Sequence, residues 1–150
     1  MSNALKEKLK IAKQKKIKQI VKDDIIKVNA LNLNDVDFID IHYQKLILEI
    51  KDKGIYLIKN NHDINSQYGN YQKFIERILS KEKVFLYCSG ADMFFFVSVP
   101  SIAVKANPKY FWESHVLHSS WQSRFFIDSE KKYGFAALNG EYGIEVCQWY

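Results

Sequence analysis

Glycine and proline are scarce in this sequence, six and two among 150 residues, and cysteine occurs only twice. So few glycines leave no GxGxxG or Walker-type loop, and hence no backbone cradle for a phosphate. Two cysteines, Cys88 and Cys147, are too few for a disulfide scaffold or a CxxC metal knot. Buried thiols in a reduced compartment are expected of them, and a disulfide between the two stays open. The chain also lacks HExxH and any run of clustered aspartates, so it announces no metal and no cofactor. Its longest apolar runs, "VFLY" and "MFFFV", are strand-sized and far short of the ~20 residues of a membrane helix. The charged start is not followed by an apolar leader core, so a cytoplasmic protein without a membrane segment is expected.

What the chain has in quantity is aromatic side chains and lysine. Aromatics reach 15%, with ten Phe, nine Tyr and three Trp, most of them after residue 84. Hydrophobic residues at 47% and charged residues at 26% are globular composition, and the length suits one domain spanning 1–150. The net charge of +5 is unevenly placed: residues 1–22 hold eight lysines and one glutamate, a local +7 that leaves −2 for the rest. A basic arm over about 1–27 therefore precedes a slightly acidic body.

Residues 4–27 contain no helix breaker and space Leu5, Leu9, Ile17, Ile20 and Val21 at helical steps, which predicts a helix to about residue 27 capped by Ser2 or Asn3. "NLNDVDFIDIHYQKLILEIKDKG" reads as a second helix. Asn34 or Asp35 would cap it, Val36, Ile39, Tyr43, Leu46 and Ile50 form its stripe, and Gly54 ends it. A short strand at 55–58, a turn-rich loop and a third helix over about 69–80 follow. Beyond residue 83 the period becomes two. "KVFLYC", "MFFFVSV", "SIAVKA", "RFFID", "YGFAAL" and "GIEVCQWY" read as strands, with "DSEKKYG" and the Asn139-Gly140 pair as hairpin turns. Helices ahead of a mostly antiparallel, aromatic-rich sheet give the α+β class.

Four groups of residues are candidates for function. His115 and His118, in "ESHVLHSSW", could share a metal if helical, with Glu113 or Cys147 adding a ligand. On a strand, side chains three apart point to opposite faces, and a structural or interfacial role is the plainer reading. Cys88-Ser89 offers a thiol and a hydroxyl after an apolar strand, without the strand–turn–helix frame of a nucleophile elbow. The lysines of the arm, Lys10, Lys13, Lys15, Lys16 and Lys18 above all, suit phosphate contact, and equally a solvated helix face. Nucleic acid is therefore the alternative partner. The fourth group is the C-terminal mixture of aromatics and acids: Trp112, Glu113, Trp121, Asp128, Glu130, Glu141, Tyr142 and Glu145. Large aromatics rimmed by carboxylates suit a surface that captures a basic protein. The same alternation is also what a half-buried strand shows.

The tail "RFFIDSEKKYGFAALNGEYGIEVCQWY", set beside the missing catalytic signature, resembles immunity proteins of bacterial polymorphic toxin systems, contact-dependent growth inhibition among them. The resemblance is one of overall character, covers mainly residues 84–150, and carries no functional residue over by position. It implies a non-enzymatic inhibitor that binds a cognate toxin domain, often a nuclease, and blocks its active or accessory surface. Many such inhibitors are acidic overall, and the basic arm is a departure.

Overall fold

The computed structural model describes residues 2–53, 55–61, 67–78, 82–90, 93–118, 123–130, 133–140 and 143–149. Helix α1 runs Asn3–Asn29, and Ser2 caps it by accepting from the Leu5 N–H at 3.2 Å. It ends where Ala30 turns left-handed at φ 51°, with the Leu31 N–H closing onto the Ile26 carbonyl at 3.0 Å. Only Val21 and Ile25 of this helix are buried, so its second half alone is anchored in the core.

The long second helix expected from Asn34 onward is divided. A 3-10 turn at Leu33–Asp35 is followed by strand β1, Asp37–Ile39, and only then by helix α2, Tyr43–Lys53. Two local causes oppose an earlier helix start. The Asp35 carboxylate accepts from the Asn32 N–H at 2.8 Å, holding a turn where the helix would begin. His42 Nδ1 accepts from the Lys45 N–H at 3.2 Å, which caps α2 at its actual start. A third cause is tertiary: Asp37, Phe38 and Ile39 find backbone partners opposite Ser98, Val97 and Phe96. Strand β2, Ile55–Asn61, and helix α3, Tyr68–Glu76, come next. The strand is longer and the helix shorter than the sequence pattern predicts.

Strands β3, Lys83–Gly90, and β4, Met93–Pro100, form a hairpin. "SIAVKA", expected to be a strand, is instead helix α4, Ser101–Ala106. Pro100, at φ −61°, ends β4, and Ser101, Ala103 and Val104 are buried together, a helical spacing rather than an alternating one. Helix α5, Pro108–Glu113, opens with Pro108 in the first turn, where its missing N–H costs nothing. Strands β5, Arg124–Asp128, β6, Gly134–Gly140, and β7, Gly143–Trp149, complete the chain. Gly140 pairs with Gly143, so Asn139 and Gly140 belong to the ladder rather than to the turn centre.

The seven strands among the described residues join one antiparallel sheet in the order β1-β4-β3-β5-β6-β7-β2, and the chain is α+β. Alternation splits its side chains between two cores. Val84, Leu86, Cys88, Val97, Phe126, Phe135 and Val146 pack with residues of α1, α3, α4 and α5 on one face. Tyr87, Phe96, Phe125, Ile127, Ala136 and Cys147 pack with Leu46 and Ile50 of α2 on the other. Cys88 and Cys147 thus lie on opposite sides of the sheet and are not bonded to each other.

Candidate functional site

The two histidines of "ESHVLHSSW" part company. His115 is exposed in a turn, whereas His118 is buried at 4% exposure, so one metal ion cannot reach both. The His118 Nε2–H donates to the Phe111 carbonyl at 2.9 Å, which leaves Nδ1 as a buried acceptor with no hydrogen-bond partner among the described residues. Burial, with the Arg124 cation nearby, lowers its pKa to about 3. The ring is therefore neutral at physiological pH. Ser89 bridges to His118 through the backbone, and its Oγ is likewise buried and without a partner. Burial pushes the Cys88 thiol well up, so it holds its proton and is no nucleophile. Among the described residues, no group of three or more His, Cys, Asp or Glu side chains is placed to hold a metal.

Trp112 was expected on a partner-facing surface and is fully buried. Its ring stacks on Tyr71 at 4.8 Å between centroids and on Phe126 at 6.1 Å. Arg124 reaches over it, with the guanidinium 5.7 Å from the ring and Nε donating to the Trp112 carbonyl at 3.1 Å. The physical reason is area: the largest side chain of α5 fills the space between that helix and the sheet. Asp128 is also inside, at 0% exposure. It accepts from the Glu130 N–H at 2.9 Å, and burial, with the Glu82 carboxylate nearby, raises its pKa to about 6. Both residues leave the expected interface.

Of the remaining acids, Glu113 is exposed and sits 4.0 Å from Lys109, and Glu130 is exposed. Glu145 stands in β7 opposite Leu138. Trp121, Glu141 and Tyr142 lie outside the described residues. In the basic arm Lys10, Lys13, Lys15 and Lys16 are exposed, but Lys18 is half-buried, its ammonium 5.5 Å from the Phe38 ring and 5.9 Å from the Phe95 ring. That lysine belongs to a different surface.

This surface is the open edge of the sheet, which sequence reading missed. β1 is the outermost strand on its side and pairs only with Phe96–Ser98, so Met93, Phe94 and Phe95 extend past its ladder. A groove of about 410 Å³ forms there, lined by Lys18, residues 38–41 and residues 94–96. Two of its aromatics are largely in solvent, Phe38 at 40% and Phe94 at 52% exposure. Both are fixed by neighbouring rings: Phe38 meets Phe95 edge-on at 6.0 Å, and Phe94 stacks on Tyr87 at 5.7 Å and lies 5.2 Å from Tyr43. The alternation in "VDFID" was the available signal for β1, while four consecutive apolar residues in "MFFF" conceal which one faces out.

No family model, curated protein or solved structure matches the chain. Its function must be read from its own residues.

Proposed function

We propose that this chain is a non-enzymatic immunity protein that binds a cognate bacterial toxin domain and blocks its active or accessory surface. The observation that supports this reading is the open edge itself. Large aromatics held rigidly by ring contacts lose little entropy on binding, and they are the residue types that concentrate binding energy at protein interfaces. An outermost strand with unpaired backbone groups is an aggregation hazard unless it is managed or used. Here it stands beside Phe38, Phe94 and the Lys18 ammonium, a combination suited to adding a partner's strand or loop to the sheet. The inhibitor needs no chemistry of its own, because covering the toxin excludes its substrate.

The test uses tagged full-length protein, wild type and Phe94→Asp, to recover partners from the native bacterium in moderate salt. One stoichiometric protein is expected with the wild type and not with the variant. Expressed alone, that partner should arrest growth, and co-expression of the wild type should relieve the arrest. A partner that is harmless, or that both forms retain equally, would overturn the reading.

A further inference from the structure

We propose a second binding site on the first half of α1: residues 3–16 form a helix that lies in the major groove of duplex DNA. The fold gives this half of the helix no work to do. Residues 2–13 are all exposed, Leu5 at 46% and Leu9 at 53%, and the first buried residue is Val21. Burial of an apolar face, which sustains most helices in proteins, is therefore missing here. Electrostatics make the free helix worse. Lys6 and Lys10, and Lys10 and Lys13, stand one turn apart as like charges, and cations near a helix N-terminus oppose its dipole. A polyanion reverses both penalties.

The arrangement of the lysines decides which polyanion. At 3.6 residues per turn, Lys6, Lys10 and Lys13 form one row along the helix, and Lys8 and Lys15 form another. Leu5, Leu9 and Ala12 form the strip between them, and Lys16 closes its far end. An acidic protein surface would meet one row and leave the other in water. Two rows flanking a strip of apolar side chains match a groove with a wall of phosphates on each side. The major groove of B-DNA is about 12 Å wide and admits an α-helix of about 10–12 Å diameter. The corresponding groove of duplex RNA is too deep and narrow for side chains to read. The Lys83–Asp37 and Lys109–Glu113 ion pairs lie elsewhere on the molecule. The second half of α1 fixes the helix to the body: Val21 and Ile25 are buried, Tyr110 bonds Asp24, and Asn107 bonds Asn29 at 3.2 Å. The basic half is thus presented in one orientation.

This site is independent of the sheet edge and is tested separately. Full-length protein is titrated with a short DNA duplex and an RNA duplex of the same sequence, between about 50 and about 200 mM salt. Two variants accompany it, Lys6, Lys10 and Lys13→Gln and Lys8 and Lys15→Gln, with helix content checked by circular dichroism. DNA is expected to bind more tightly than RNA, and each variant should reduce the salt slope by about 0.9 per lysine removed. Phe94→Asp should bind DNA as the wild type does. Absence of DNA binding at the lowest salt, equal binding of RNA, or a slope that responds to one row only would overturn the proposal. The last result would mark the one-sided contact of an acidic protein.

Discussion

Ser89 and Phe94 are direct partners across the β3–β4 hairpin, yet their surroundings are inverted. The serine is 7% exposed with an unpartnered Oγ, and the phenylalanine is 52% exposed. Polar groups are normally buried only with partners, so each residue stands where the other's chemistry would be more comfortable. The same contrast holds for the regions around them. Beside Ser89, across a backbone bridge, lies His118, buried at 4% exposure. Around Phe94 lie Tyr43, 5.2 Å away between ring centroids, and the groove that Phe38 and Lys18 also line. On the proposed reading, the exposed aromatic edge is the side that meets a partner, and the buried polar groups around Ser89 serve the fold.

The contrast can be broken most forcefully at Trp112. Trp112→Ala empties a fully buried site and should cost about 3–5 kcal/mol, measured by denaturant unfolding. A loss below about 1 kcal/mol would mean that this ring is not part of the core.

The pH dependence of stability tests the closed region next. His118 titrates near 3 when folded against an ordinary 6.5, so the unfolded chain takes up its proton first and acidification from 6.5 destabilises the fold. Asp128 works in the opposite sense. Its folded value of about 6 lies above the ordinary 3.8, so the native state takes up the proton first and this group favours folding as pH falls through that window. Asp128→Asn removes the compensation, and its melting temperature should fall more steeply than the wild type's between pH 6 and 3.8. A shallower fall in the variant would contradict the burial of Asp128.

The smallest effect on stability is expected at the open edge. Phe94→Ala should change unfolding free energy by no more than about 0.5 kcal/mol, the range of ordinary surface substitutions, while weakening partner capture. A large loss of stability would assign Phe94 to the core and remove the comparison altogether.

The elements legible in the sequence were those whose own pattern agrees with their surroundings. Leu46 and Ile50 mark the buried face of α2 at a spacing of four, and the alternation through "KVFLYC" and "RFFID" reports strands packed on both faces. Where the pattern admitted two readings, tertiary contact chose. "VDFID" fitted the stripe of a helix continuing to Ile50 until β4 offered Phe38 and its neighbours a ladder. "SIAVKA" alternated like a strand until Pro100 stopped β4 and the buried positions followed a helix. The candidate site was less legible still. Trp112 and Asp128 sit among exposed acids in the sequence, and nothing local says that the fold turns both inward. Phe38 and Phe94 are as apolar as any core residue, and nothing local says that they are left at an edge.

By itself the sequence determined the α+β class, the lysine-rich first helix, and the change of period after residue 83, because backbone propensity and side-chain spacing act over a few neighbouring residues. The tertiary structure alone decided which residues are shut away and which are presented. Burial depends on what packs from distant parts of the chain, as when α5 covers His118 and the short β1 leaves Phe94 in water.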